Sequence, residues 1–120
     1  MNVLLVDDEA TMRRMLKLML QKRGFQVFDA ANGLDALALS QEHPIDILVT
    51  DVVMEEMEGT TLAHWLQERR PDVPVLFVSG FPMDLEAERQ HNARCAFLPK
   101  PFQAGDLVEA ISELTKGVAY

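Results

Sequence analysis

The stretch Ile45-Asp46-Ile47-Leu48-Val49-Thr50-Asp51 constrains this chain more than any other, because its apolar residues run consecutively and do not alternate with polar ones. A strand with apolar side chains on both faces must be covered on both faces. A parallel sheet between two helix layers provides that cover, whereas an antiparallel sheet commonly leaves one face wet. The run also ends in a carboxylate, Asp51, and the carboxyl ends of parallel strands are where such sheets bind ligands. Val3-Leu4-Leu5-Val6 leads in the same way to Asp7-Asp8, Val75-Leu76-Phe77-Val78 to Ser79, and Ala96-Phe97-Leu98 to Lys100. If these strands are parallel, all of these polar groups meet at one rim.

The intervening segments carry helical spacing. Apolar residues at 12, 15, 16, 19 and 20 predict a helix over 11–20, closed by Gly24 as a C-terminal glycine. Leu18 lies off that stripe, either widening the core face or facing a partner. Residues 25–28 form a short strand, and Asn32-Gly33 makes a turn or helix entry before a helix over 34–42. After Asp51 comes a loop through residue 59, with Gly59 at its hinge. A helix over 60–69 buries Leu62 and Leu66, with Trp65 along one edge. Asp84 caps a polar helix reaching about residue 92, which has the least to bury and is therefore expected to be the most mobile. A last helix over 105–116 buries Leu107, Ile111 and Leu114. Five strands alternating with five helices predict one α/β domain over 1–120, a doubly wound sheet with right-handed crossovers.

Charge and composition narrow the function. Lys and Arg number 11 against 19 Asp and Glu, a net charge of -8 without a basic cluster, so no direct nucleic-acid or anionic-membrane partner is expected. Apolar stretches are of strand length only, and no signal-peptide pattern opens the chain, which predicts a cytoplasmic setting. Cys95 is the only cysteine, in an apolar context that suits a small buried residue.

The acids carry the chemistry. Asp7-Asp8 and Asp51 end strands that, if adjacent, lie about 4.8 Å apart. Like charges that close raise at least one pKa unless a cation intervenes. An all-oxygen set with few carboxylates suits Mg²⁺ better than Zn²⁺. Lys100, in Pro99-Lys100-Pro101, is long enough to reach Asp51 and offer a positive charge to phosphate oxygens. Pro101 can take a cis peptide bond. Ser79 offers a hydroxyl to a phosphoryl oxygen. Metal-binding acids, an acceptor carboxylate, a hydroxyl and a lysine are the parts of a phosphoryl-transfer site, with Asp51 as the nucleophile that becomes an aspartyl phosphate.

Over essentially its full length the chain resembles a receiver domain of two-component response regulators. The likeness is carried by Val6-Asp7-Asp8-Glu9, Thr50-Asp51-Val52-Val53-Met54, Met57-Glu58-Gly59, Val78-Ser79-Gly80 and Leu98-Pro99-Lys100-Pro101. The resemblance implies a flavodoxin-like sheet of order 2-1-3-4-5. It implies Asp51 as phosphoacceptor, Mg²⁺ held by Asp7, Asp8, Asp51 and the Val53 carbonyl, Ser79 and Lys100 as the partner hydroxyl and lysine, and Phe97 as an aromatic switch residue. It further implies a histidine kinase or histidine phosphotransfer protein as donor, a homodimer through the fourth helix, fifth strand and last helix, and a signalling domain that catalyses its own phosphorylation without being an enzyme. Thr50-Asp51-Val52-Val53-Met54 and Ser79-Gly80-Phe81 look most like receivers of hybrid histidine kinases. With no output domain before Tyr120, a single-domain regulator or a piece of a larger protein is expected.

One departure stands in the acceptor loop: Glu55 occupies the place where the family usually has proline, which is expected to loosen that loop. Two other readings compete. An Mg²⁺-dependent aspartyl-phosphate phosphohydrolase usually wants a second acid where Val53 stands, and a phosphorylation-independent interaction module would keep the fold without needing these groups. Val53 and Phe81 are the apolar residues expected to flank the pocket and set phosphoryl lifetime.

Overall fold

The doubly buried central strand decides the architecture. In the computed structural model, which describes residues 1–92 and 94–116, the element order is β1 (Asn2–Val6), α1 (Ala10–Lys22), β2 (Gln26–Ala30), α2 (Gly33–Glu42), β3 (Ile47–Asp51), α3 (Gly59–Arg69), β4 (Val75–Ser79), α4 (Leu85–His91), β5 (Cys95–Pro99) and α5 (Ala104–Thr115). All strand pairs are parallel, in the order β2-β1-β3-β4-β5. β3 sits in the middle, and its Ile47, Leu48, Val49 and Thr50 are all buried.

Alternate residues of the strands supply two cores. Leu4, Val6, Leu48, Val75 and Phe77 face α2 and α3, with Leu85 of α4 packed against the same cluster. Val3, Leu5, Ile47, Val49, Leu76 and Val78 face α1 and α5 through Leu16, Leu20, Leu107 and Ile111. Each such side chain contributes about 1.5–3 kcal/mol on leaving water. The cores therefore fix the strand ends that carry the polar groups. Cys95 is buried among them, as its context predicts.

Several boundaries and faces differ from expectation for identifiable reasons. β3 begins at Ile47, two residues later than the apolar run, because the Asp46 carboxylate accepts the Asn2 backbone N–H at 2.7 Å. β2 is displaced to Gln26–Ala30, in register with β1 from Asn2 to Val6. Met15 is exposed, not part of the core stripe, as is Leu18. On a helix lying over one sheet face the buried arc is about 100° wide, and positions 12, 16, 19 and 20 already fill it. Trp65 is exposed on α3 and Leu114 is only partly buried. Gly24 follows α1 with φ 89°, a left-handed conformation in which a side chain would be strained.

α1 and α4 are held in contrasting ways. The Glu9 side chain caps α1, accepting the N–H groups of Thr11 and Met12 at 3.3 and 2.9 Å. Arg13 and Lys17 then pair with Asp29 of β2 at 3.2 and 2.7 Å. α4 has seven residues and no fully buried side chain, as its polar sequence predicts. A contact of 2.8 Å between His64 Nε2 of α3 and Glu88 Oε2 ties it to its neighbour.

Candidate functional site

Strand register brings the polar ends together. Val6 pairs with Thr50, so Asp7 and Asp51 each follow by one residue on adjacent strands. Asp51 is opposite Val78 and Ser79 opposite Pro99, with Lys100 next along the chain. The Lys100 N–H donates to the Ser79 carbonyl at 2.9 Å, which holds the β4 and β5 ends side by side. The Lys100–Pro101 peptide bond is cis.

From there the Lys100 side chain crosses the rim. Its Nζ lies 3.2 Å from Asp51 Oδ2 and 3.4 Å from Asp7 Oδ2. Asp7 is fully buried, and its Oδ1 accepts the Glu9 N–H at 2.9 Å. Asp8 is exposed, and its Oδ2 accepts the Glu55 N–H at 3.1 Å. The Asp51 side chain keeps 14% of its exposure, so it is the strand-end acid beside Lys100 that an incoming group can reach.

The electrostatics follow from burial and count. Burial pushes the Asp7 carboxyl above the ordinary carboxylate range; the Glu9 N–H and the Lys100 ammonium pull it back without cancelling the rise, to which Asp51 adds. Burial would lower Lys100, yet the charges of Asp7 and Asp51 outweigh it and hold the ammonium above its usual value. Both shifts are upward, which favours the charged form of Lys100 and the neutral form of Asp7. One cation is well served by two anions, while the buried anion must share that cation with a like charge.

Asp7, Asp8 and Asp51 each offer one oxygen within 4.8 Å of the others. Among the described residues no hydrogen bond is donated to Asp8 Oδ1 or Asp51 Oδ1. Three carboxylates around one point, two of them with an oxygen that accepts no hydrogen bond from the described residues, and no nitrogen or sulfur donor in the group, fit a hard divalent cation.

The remaining expected residues take their places around this trio. Ser79 is buried, and its Oγ accepts the Phe81 N–H at 3.1 Å. Phe97 is partly buried against the cluster that includes Phe77, Leu85 and Leu66. Val53 and Phe81 are exposed. Gly59, expected at the hinge of the loop, is the first residue of α3. A Cβ there would overlap the Asp51 carbonyl oxygen and come within 3.1 Å of Thr50 Oγ1.

The acceptor loop, in which Glu55 is expected to loosen the chain, has a backbone contact at that residue. An N–H that proline would lack reaches Asp8 across 47 residues of sequence. Thr50, part of the acceptor motif but given no role of its own from the sequence, donates through Oγ1 to the Asp51 carbonyl at 2.9 Å. A buried threonine directly before a strand-end acid is the one local signal that could have marked it.

The sequence model of the response regulator receiver domain matches residues 3–112. The chain belongs to that family. The receiver domain is 42% identical over 115 residues to the sensor kinase CckA of Brucella abortus, covering 93% of this chain and 12% of CckA. It is 36% identical to the response regulator receiver protein CpdR of the same organism, covering 93% of this chain and 94% of CpdR. Among solved structures, the receiver domain of the hybrid histidine kinase CckA superposes with a TM-score of 0.83 at 30% identity, covering 97% of this chain and all of that one. The chemotaxis protein CheY4 of Vibrio cholerae gives 0.87 at 28%, covering 94% and 97%.

The receiver domain has the flavodoxin-like architecture of these neighbours. It is a two-component signalling domain and not an enzyme in its own right. Receiver domains interact with histidine kinases or phosphotransfer proteins. No helix among the described residues is long and apolar enough to cross a membrane.

Proposed function

We propose that Asp51 accepts a phosphoryl group from a phosphohistidine on a histidine kinase or histidine phosphotransfer protein, and that the resulting aspartyl phosphate switches the face formed by α4, β5 and α5. An Asp51 carboxylate oxygen attacks phosphorus in line with the P–N bond. The new P–O bond forms as the P–N electron pair leaves with the imidazole nitrogen, which takes up a proton. The observation that carries this reading is the span of Lys100, whose Nζ stands 3.2 Å from Asp51 and 3.4 Å from Asp7. That position gives the phosphoryl oxygens a fixed positive charge.

Asp7, Asp8 and Asp51, with the Val53 carbonyl, would hold the Mg²⁺. When bound, the ion supplies further neutralisation of charge on the equatorial oxygens. Ser79 Oγ, which accepts the Phe81 N–H at 3.1 Å, moves to donate to a phosphoryl oxygen. Phe97, partly buried against the core cluster that contains Phe77, turns inward as Ser79 vacates its place. Differential contacts of Ser79 and Lys100 with the phosphoryl group supply the bias between the two states. The α4, β5 and α5 face is then read by a partner or a second copy, in the cytoplasm.

Incubation with acetyl phosphate and Mg²⁺ should label the wild type with a hydroxylamine-sensitive phosphoryl group and leave Asp51→Asn unlabelled. Equal labelling of the variant would refute Asp51 as acceptor.

A further inference from the structure

We propose that the main-chain N–H of Glu55 is a positioning group for the cation-holding acids, a latch that fixes the direction of the Asp8 carboxylate before any cation arrives. The proposal rests on the reading of Asp8 as a ligand given above. Asp8 is the exposed member of the trio, so its carboxylate would otherwise sample several rotamers and lose that freedom on binding. The Glu55 N–H donates to Asp8 Oδ2 at 3.1 Å, while Oδ1 takes no hydrogen bond from the described residues. One oxygen is thus tethered and the other left to ligate.

The donor is itself held on both sides. Met54, one residue earlier, is buried in the core below α2 and α3. At the far end of the loop the Gly59 N–H donates to the Val52 carbonyl at 2.8 Å. Asp8, Met54, Glu55 and Asn32 line a cleft of about 180 Å³ at this spot. The Glu55 carboxylate is exposed and is not the group in contact. What residue 55 must supply is a backbone donor, the one thing proline cannot offer.

Two substitutions separate the backbone from the side chain. Glu55→Ala removes the carboxylate and keeps the N–H; Glu55→Pro removes both. In Mg²⁺ titrations by calorimetry the proline variant should bind about three- to tenfold more weakly than the alanine variant, the worth of one hydrogen bond to a carboxylate partly open to solvent. Equal affinities would overturn the latch. A second measurement does not depend on how well the proline variant folds. In the metal-free wild type the Glu55 amide proton should exchange more slowly than expected for an exposed loop, and Asp8→Ala should abolish that protection. An amide exchanging at the same rate in both proteins would also overturn it. Neither measurement involves phosphoryl transfer, so failure of Asp51 to take label would remove the acceptor assignment and leave the latch standing.

Discussion

Replacing Lys100 by Met tests the rim directly, because it deletes the positive charge and keeps most of the stem volume. At about 3.3 Å and an effective dielectric of about 20, each carboxylate attracts the ammonium by roughly 5 kcal/mol before desolvation is subtracted. Removing one partner of a buried pair costs about 3–5 kcal/mol. Lys100 and Asp51 retain 19% and 14% of their side-chain exposure, which brings the expected loss to about 2–3 kcal/mol. For a domain of 120 residues that is a fall of about 10 °C in Tm without metal. Saturating Mg²⁺ should restore at least half of the loss, since a bound cation neutralises the same acids. By linkage the variant should then bind Mg²⁺ roughly tenfold more tightly than the wild type. Thermal denaturation with and without Mg²⁺, paired with calorimetric titration, measures both sides of this cycle. An unchanged Tm, or a deficit that Mg²⁺ does not reduce, would show that Lys100 is not the charge holding the acids together.

Gly59→Ala should destabilise the domain by about 3 kcal/mol, measured by urea denaturation, because the new methyl overlaps main-chain oxygen of Asp51 and not a side chain that could move aside. It should also slow Asp51 labelling. Asp29→Asn should cost about 1 kcal/mol at pH 7. Burial alone would raise the Asp29 carboxyl, but Lys17 and then Arg13 outweigh burial and hold it below 3.8. A depressed folded pKa gives stability that is complete above the unfolded value and lost as pH falls through the folded one. The gap between wild type and variant in urea midpoint should therefore be constant from pH 7 down to about 4 and close only below 3.8.

Local pattern showed most of the fold and the strand-end residues of the site, because both are written in consecutive residues. A strand buried on two faces has no polar alternation, and Ile47 to Thr50 lack it. Asp51, Ser79 and Lys100 stand directly at the ends of such runs, so parallel pairing alone brings them together. Features that depend on contacts between distant segments were not visible. Nothing near Glu55 announces that its N–H meets Asp8, and nothing near Gly59 announces the Asp51 carbonyl against its α-carbon. Glu9 as a helix cap was also obscure, since glutamate is not among the favoured capping residues. Met15 misled because helical periodicity gives the direction of a stripe more reliably than its width.

The flanks of the sheet are anchored differently. At the β2 edge, Asp29 is gripped by two cations from α1, and Arg13 Nη1 also donates to the Asp7 carbonyl at 2.8 Å. At the β5 edge one of the two covering helices, α4, buries no side chain completely, although α5 on the other face buries Leu107 and Ile111. The first flank is tied by two ion pairs, whereas α4 on the second has little buried surface to lose by moving. On the proposed switch, a shift of the rim costs least where least side-chain surface is buried, at α4, so uneven anchoring of the two flanks would set the direction of the response before any partner docks.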